Sequence, residues 1–576
     1  MDRESIIPSS KETLSFFRGP SEPALQSSTI GYILQRQAIQ FPNDNALIVP
    51  NSAYRATYQE LNERTQLLSR ALIASGIHVG DRIGLFAGNV AEYVEVFLAA
   101  TRIGAIAVLL NTSYTVDEIK SALSSTGSSM LFISESLGKH SQSSNIAHLQ
   151  SIIGCDGAGE LPELRQLVVI LSSTSAKSPY KTYETFLHEG LEVPMEKVNS
   201  IEVEVTADKT CNFQFTSGTT GTPKIAMLSH SNVINNGFLI GDRIGLVQKD
   251  IICCPVPLFH AAGLVLGLIG CLTHGSTLVL PCPMFEAKAT ADILLSENCT
   301  GVHTVPTIFA AILESYEQRD IKPPPLRTGT LGGAPVSPTL LRKLQQEFGI
   351  KDLGIGYGMT ETSPLSYVGT GPQVDPTGTW LQILPHTIAK IQGHDRQTVP
   401  IGTPGELCIG GYLLQQGYYR NPEKTNEAMQ FDPRDNIVWM HTGDEAIMDE
   451  NGQCRITGRI KDIIIRGGEN IYPAEIEERL NSHPAISMAA VVGVKDAKYG
   501  QAVAAFLQPS NGEQHLSTKE VQEWVRQTLG RHKVPTWIFY MGFGGVPDDF
   551  PKTGSGKIRK VDLMAIGTRM LRNSKL

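Results

Sequence analysis

The 576-residue sequence predicts an α/β protein: a large N-terminal domain of parallel and mixed sheets covered by helices, plus a small α+β C-terminal domain. Three observations predict it. Apolar runs of strand length alternate with amphipathic segments of helix length, the rhythm of parallel sheets whose crossovers are helices. Near Lys461 the pattern changes to an apolar strand, a Gly-Gly turn, a helix and another strand. The length suits a large body with a second, smaller unit. The domains are placed at residues 1–460 and 461–576.

Each element has its own local reason. TYQELNERTQLLSRALIASGI (57–77) begins with a capping residue, Thr57, and Glu60 three positions on completes a capping box. Leu61, Leu68 and Leu72 then recur on one helical face, and Gly76 ends the run. DRIGLFAGN (81–89) reads as a strand, VAEYVEVFLAATRIG (90–104) as a helix and AIAVLLN (105–111) as a strand, which together form a β-α-β unit. From about Asn111 to Thr206 the text is Ser-rich and shows no clear division. GRIKDIIIRGGENIYPAEIEERLNSHPAISMAAVVGVKD (458–496) opens the C-terminal unit.

Composition narrows the function. With 41% hydrophobic and 18% charged residues the chain reads as globular. A net charge of −8 leaves no basic excess to neutralise a phosphate backbone, so no nucleic-acid partner is expected. A small phosphorylated ligand needs only a few local charges. The nine cysteines include no CxxC pair and are odd in number, which predicts reduced, buried thiols and no zinc site. The N-terminal residues lack an apolar h-region, so no signal peptide is expected. The most apolar run, Ala261–Leu272, is too short to span a bilayer and is expected to form a core helix, so no membrane span is predicted. The last residues, Ser574-Lys575-Leu576, spell a receptor-read peroxisomal address, so the peroxisome and its import receptor are the expected location and partner.

Four segments carry chemistry. In FQFTSGTTGTPK (213–224), Gly218 and Gly221 allow close backbone approach, Thr216, Ser217, Thr219, Thr220 and Thr222 supply donors, and Lys224 adds a positive charge. This is a recipe for cradling phosphate oxygens. It is not a Walker A loop, because Pro223 precedes Lys224 and Ile225 follows it; a Ser/Thr/Gly-rich surface turn is the plain alternative. In GYGMTETSP (356–364), Tyr357 is suited to stack on a base and Glu361 to hold Mg²⁺ beside phosphates, against the alternative of a Gly-rich loop with a solvated Glu. In HTGDEAIMDENGQCRITGRIKD (441–462), Asp444 is suited to accept from ribose hydroxyls and Arg459 to donate to the same sugar, while DENG marks a turn that alone makes the segment an ordinary hairpin. In PKTGSGKIRK (551–560), Lys557 sits in a Gly-rich loop and alone is no more than a surface lysine.

Their order and combination say more. With PLFH (257–260), LGGAPVS (331–337) and GELCIGGYLLQQGYYRNPEKT (405–425), they give a chain that resembles the adenylate-forming superfamily from Thr57 to Lys557. That superfamily includes acyl-CoA synthetases, aryl-CoA ligases, beetle luciferases and nonribosomal adenylation domains. The resemblance implies ATP, Mg²⁺ and CoA as cofactor and co-substrates, and a reaction in two halves. A carboxylic acid and ATP give acyl-AMP and pyrophosphate; CoA then takes the acyl group as a thioester.

The resemblance also implies roles for residues. Thr216, Ser217, Gly218, Thr219, Thr220, Gly221 and Lys224 hold the β- and γ-phosphates. Gly333, Ala334 and Pro335 lie along the adenine, with Tyr357 opposite, in the segment Gly356, Tyr357, Gly358, Met359 and Thr360. Thr360 touches the α-phosphate, Glu361 and Thr216 serve Mg²⁺, and Asp444 and Arg459 hold the ribose. Lys557 bridges the carboxylate and the α-phosphate during adenylation. Lys461 is the hinge of a mobile C-terminal domain, whose swing brings Gly467 and Gly468 to line the CoA tunnel. The acid pocket is expected around Phe259, His260, Ala262, Gly263, His303, Val305, Gly356 and Met359. PLFHAAG has no carboxylate, which favours an uncharged acyl tail, a medium-chain, branched or modified fatty or polyketide acid, or an aryl acid. The chain also resembles fungal peroxisomal acyl-CoA ligases of secondary metabolism, including toxin biosynthesis. Two other functions share the motifs, a luciferase-like oxygenase and a stand-alone adenylation enzyme loading a carrier protein in trans. Glu445, after TGD, departs from the family's usual apolar residue, and the Gly-rich stretch between Tyr540 and Pro551 is also atypical.

Overall fold

The computed structural model describes residues 13–153, 161–171, 178–216, 223–334, 336, 338–370, 380–467, 469–496, 498–510, 515–552 and 558–573. The β-α-β unit appears where the sequence predicts it. Strands Arg82–Phe86 and Ile106–Leu109 pair in parallel, and the helix Ala91–Arg102 connects them with every residue but Glu92 buried. The helix Tyr58–Ala74 starts at the Thr57–Glu60 capping box, with both reciprocal hydrogen bonds formed. These strands belong to a six-stranded sheet with Met130–Ser134 and Gln166–Ile170 on one side and Thr210–Thr216 on the other. Lys224–Ser229 folds back antiparallel on Thr210–Thr216 and closes that edge.

A second sheet has eight strands. Its centre is parallel, with Ile251–Cys253, Gly301–Thr304, Thr328–Gly332 and Asp352–Gly358 side by side. Antiparallel strands end it on both sides, Leu365–Gly369 beside Asp352–Gly358 and Tyr54–Thr57 beside Asn45–Val49. A third sheet is antiparallel and contains Gly405–Gly411, Ile437–Met448 and Cys454–Arg459, with the DENG turn joining the last two. Beyond the short turn Ile460–Asp462, a five-stranded sheet of Ile464–Arg466, Glu469–Ile471, Ile486–Asp496, Gly500–Pro509 and Trp537–Tyr540 carries the helices Pro473–Asn481 and Lys560–Asn573.

Two stretches differ from the sequence expectation. The undivided region resolves into helices Val116–Thr126, Ser143–Ser151, Tyr183–Glu189 and Met195–Glu204 with two strands of the first sheet between them. A capping box at Thr115 and Glu118 marks the first of these helices and is legible in the text. The apolar run at Ala261 is a buried helix, but Ala262–Ile269 is wound wide, as a π-helix, before Gly270–His274 returns to α geometry. Close packing accompanies the widening. A Cβ on Gly237 of the neighbouring helix His230–Arg243 would lie 3.0 Å from the Val265 carbonyl. The eight described cysteines are buried free thiols, as expected. Among the described residues no helix is long and apolar enough to cross a membrane.

His230 opens the helix His230–Arg243, and its ring ties the N-terminal helix Ile30–Gln40 to the core. Nδ1 accepts from the Ile30 N–H at 3.2 Å, which requires the neutral ring. Burial pushes the imidazole from 6.5 down to about 4. The unfolded chain therefore binds one more proton between those values, and stability contributed by His230 is lost as pH falls from about 6.5 to about 4. Thermal melts of the wild type across this window are expected to fall more steeply with acid than those of His230→Gln, with a difference on the order of 2–3 kcal/mol by pH 4.

Candidate active site

The central strands of the eight-stranded sheet run in one direction, so their carboxyl ends lie along one edge. In open parallel sheets that edge is where ligands bind, because the loops leaving it carry backbone and side chains that no neighbour claims. Four of the sequence-predicted segments leave from it. Phe259, His260 and Gly263 follow Ile251–Cys253, and His303 and Val305 end Gly301–Thr304. Gly333 and Ala334 follow Thr328–Gly332, and Gly356 to Glu361 end Asp352–Gly358. The register Gly332 opposite Gly356 sets two of these loops directly beside each other.

On one side, Tyr357, Asp444 and Arg459 come together from two sheets. The Tyr357 hydroxyl donates to Asp444 Oδ2 at 2.7 Å, and Arg459 Nε lies 2.9 Å from Oδ1. Asp444 and Arg459 face each other across the hairpin, so the ion pair follows from strand register. Burial and the Asp444 carboxylate hold the Tyr357 phenol far above its usual range, so it acts only as a neutral donor. The carboxylate is itself positioned. Thr442 Oγ1 donates to the Leu407 carbonyl and accepts from the Asp444 N–H, while Glu406 accepts from the Gly443 N–H and from His441 Nδ1.

On the other side, the hairpin Thr210–Thr216/Lys224–Ser229 sets Thr216 opposite Lys224 at its open end. Thr216 Oγ1 is buried with no hydrogen-bond partner among the described residues, an unusual state for a hydroxyl and one that a ligand oxygen relieves. Lys224 Nζ donates to the Tyr418 hydroxyl at 3.0 Å, and that hydroxyl donates to Glu361 Oε1 at 2.8 Å. Glu361 lies in the buried turn Thr360–Thr362, four residues after Tyr357, so a single strand end links the two clusters.

The apolar side is built on Phe259, which is buried, with the His260 ring packed against it at 4.7 Å. Gly263 is required, since a Cβ would lie 2.3 Å from the Pro257 carbonyl oxygen. Asn89, fully buried, accepts from the Leu258 N–H and donates to the Val256 carbonyl, pinning the loop that presents Phe259. His303 is buried in its strand with Nδ1 2.8 Å from Thr330 Oγ1, and burial lowers its ring to about 4, so it is neutral. Val305 is half-buried and starts the helix Pro306–Glu317.

The AMP-binding enzyme family matches residues 34–419, and the C-terminal domain of that family matches residues 475–557. The chain belongs to the AMP-binding enzymes. It is similar to the acyl-CoA ligase sidI of Aspergillus fumigatus, 43% identical over 567 residues, covering 98% of this chain and 95% of the relative. It is similar to the acyl-CoA ligase SID4 of Ajellomyces capsulatus, also 43% identical, over 98% of this chain and 96% of the relative. Among solved structures, the anthranilate CoA ligase AuaEII in complex with anthranoyl-AMP superposes with a TM-score of 0.79 at 22% identity, over 95% of this chain and 98% of that one. This AMP-binding enzyme therefore shares the fold of that ligase.

The remaining expected residues lie at the start of the C-terminal unit or outside the described residues. Lys461 is exposed on the turn Ile460–Asp462, and Gly467, at φ +63°, lies in the first hairpin of the C-terminal sheet, where its N–H donates to the Tyr499 carbonyl. Ser217, Gly218, Thr219, Thr220, Gly221, Thr222, Pro335, Gly468, Lys557 and Ser574-Lys575-Leu576 lie outside the described residues. Glu445, the atypical residue after TGD, is nearly buried and accepts from Thr457 Oγ1 at 2.7 Å across its hairpin, so its carboxylate is satisfied. Sequence reasoning missed Tyr418, Glu406 and Asn89. Each acts on a partner distant in the chain, and only the position of the first two within GELCIGGYLLQQGYYRNPEKT could have marked them. Asp444→Asn keeps the shape but loses the charge that organises Tyr357 and Arg459. Equilibrium titration with ATP is expected to show roughly tenfold or greater weakening, the cost of a hydrogen bond to a charged group.

Proposed function

We propose that this AMP-binding enzyme is an ATP-dependent acyl-CoA ligase. The observation that carries the reading is the meeting of Thr216, Lys224 and Glu361 at the hairpin mouth, one strand end away from the Tyr357–Asp444–Arg459 cluster. A threonine hydroxyl with no partner among the described residues, an ammonium and a carboxylate suit a triphosphate with its cation, and the second cluster suits a ribose. Glu361 and Thr216 offer hard oxygen donors that fit Mg²⁺, and would hold it. Bound there, Mg²⁺ neutralises charge on the phosphate oxygens.

In this reading Asp444 accepts from the ribose hydroxyls while Tyr357 and the Gly333–Ala334 loop flank the base. Lys224 and the loop after Thr216 hold the β- and γ-phosphates. An oxygen of the substrate carboxylate attacks the α-phosphorus, and the bond to the bridging oxygen breaks with its electron pair leaving on pyrophosphate. Such a reaction depends on positioning and charge stabilisation more than on covalent help. Lys557 offsets the charge as the two anions meet. Rotation about Lys461 then brings Gly467 and Gly468 to the site, and the CoA sulfur, its proton released to solvent, attacks the acyl carbonyl; the C–S bond forms as the acyl C–O bond breaks with its electron pair leaving on AMP. The domains are placed at residues 1–460 and 461–576 on this basis.

The acid is placed against Phe259, His260, Gly263, His303, Val305, Gly356 and Met359, with the His303 ring neutral. The lack of a carboxylate in PLFHAAG supports an uncharged tail, and we assign a medium-chain or modified fatty or polyketide acid used in secondary metabolism. Fungal relatives named acyl-CoA ligases support the class, among them cnsG of Penicillium expansum, 35% identical. Ser574-Lys575-Leu576 supports a peroxisomal location through the import receptor.

Purified protein is expected to catalyse pyrophosphate exchange into ATP only with a suitable acid, and to give a thioester when CoA is added. A panel of short, medium, long, hydroxy and aryl acids identifies the substrate class. Exchange without a CoA product assigns the acceptor to a carrier protein or to oxygen instead. Lys557→Ala is expected to lose adenylation by at least a hundredfold while still using supplied acyl-AMP. In fungal cells, a fluorescent protein fused to the N-terminus of the chain is expected in peroxisomes, and removal of the last three residues is expected to return it to the cytosol.

A further inference from the structure

The link between Lys224 and Glu361 runs through a residue outside the phosphate loop. We propose that Tyr418 is a positioning residue for the phosphate end of the site, its hydroxyl holding the Glu361 carboxylate and the Lys224 ammonium apart and ready for the nucleotide. The inference rests on the ligase reading for what those two groups bind.

The order of the bonds is fixed by chemistry. An ammonium only donates and a carboxylate only accepts, whereas a phenol has one proton to give and lone pairs to receive. The Lys224 Nζ donation to Tyr418 at 3.0 Å and the Tyr418 donation to Glu361 Oε1 at 2.8 Å are therefore the single arrangement these three groups allow. Lys224 Nζ also lies 4.3 Å from the Tyr418 ring centre, so the ring face seats the charge that the hydroxyl caps. A direct ion pair between Lys224 and Glu361 would neutralise both groups. Through the hydroxyl, one carboxylate oxygen and one ammonium proton are used, and the others remain for phosphate and cation.

The backbone around Tyr418 locks this placement. The segment from Gln415 to Tyr419 runs between the outer edge of the hairpin and the Glu361 turn. Gln415 N–H donates to the Glu361 carbonyl at 2.9 Å, while Gln416 N–H donates to the Met227 carbonyl at 2.9 Å and Tyr419 N–H to the Ile225 carbonyl at 2.8 Å. Met227 N–H returns a bond to the Gly417 carbonyl at 3.1 Å. Tyr418 N–H itself is held by Thr425 Oγ1 at 2.9 Å, and the residue is 3% exposed. None of these backbone bonds involves the phenol oxygen, which besides Lys224 and Glu361 meets only the Gln415 side chain among the described residues, so removing that atom changes the link and leaves the backbone seat.

The test is equilibrium binding of ATP, without acid, at a series of Mg²⁺ concentrations. It uses the wild type, Tyr418→Phe, Glu361→Gln and the double variant, with melting curves to check folding. Tyr418→Phe is expected to weaken ATP binding roughly tenfold and to raise the Mg²⁺ concentration for half-saturation, because a buried carboxylate and ammonium have lost their shared partner. Glu361→Gln is expected to lose most of the Mg²⁺ dependence, and adding Tyr418→Phe to it to cost less than about twofold more, since groups acting as one unit are not additive. Wild-type binding and Mg²⁺ dependence in Tyr418→Phe, or fully additive losses in the double variant, would overturn the inference. If Tyr418→Phe alone does not fold, the double variant, which buries no uncompensated carboxylate, decides against Glu361→Gln by the same criterion. A wild type that binds ATP with Mg²⁺ dependence but drives exchange with no acid removes the ligase reading and leaves Tyr418 to be judged by these titrations. A wild type that binds no ATP overturns both.

Discussion

Parallel pairing of the central strands in the eight-stranded sheet is the constraint on which the rest of this enzyme depends. Because Ile251–Cys253, Gly301–Thr304, Thr328–Gly332 and Asp352–Gly358 all run the same way, four connections must leave along one edge. Each is far apart in the chain, and each carries a different chemical duty: an apolar wall, a buried histidine, a glycine loop, and the tyrosine and glutamate of one strand end. A reversed strand among them would send its loop to the opposite edge. The two flanking sheets then complete what this edge begins, one with the Thr216–Lys224 hairpin and the other with the Asp444–Arg459 hairpin.

The site meets its charges with a repeated device. A buried carboxylate is joined to a tyrosine hydroxyl and then to a basic group or beside one: Asp444 with Tyr357 and Arg459, Glu361 with Tyr418 and Lys224. Burial and the neighbouring carboxylate push both phenols well above their ordinary range, so each is a neutral connector that does not ionise. Buried ionised groups are costly unless hydrogen-bonded, and a phenol provides that bond without cancelling the charge.

Much of the fold was legible because its signals are local. The capping box at Thr57, the β-α-β rhythm through Leu109, the DENG turn and the change of pattern at Lys461 each rest on a few consecutive residues and on backbone chemistry that needs no distant partner. The Ser-rich region from Asn111 was not divided, because its strands bury both faces and offer no alternation, although Thr115 and Glu118 carried a usable helix signal. The wide winding at Ala262 was not legible at all, since it accompanies the close approach of a second helix at Gly237.

The sequence by itself determined the family, and the order and identity of the segments that carry Lys224, Tyr357, Glu361, Asp444 and Arg459, because those residues sit in motifs whose spacing is set by one turn or one hairpin. Tertiary structure alone decided how they are joined. Tyr418 lies 57 residues from Glu361 and 194 from Lys224, Glu406 lies 35 from His441, and Asn89 lies 169 from Leu258. Nothing in a linear pattern links such pairs, because a hydrogen bond is set by distance and direction in space. Strand register and sheet order bring these atoms to within 3.0 Å of one another.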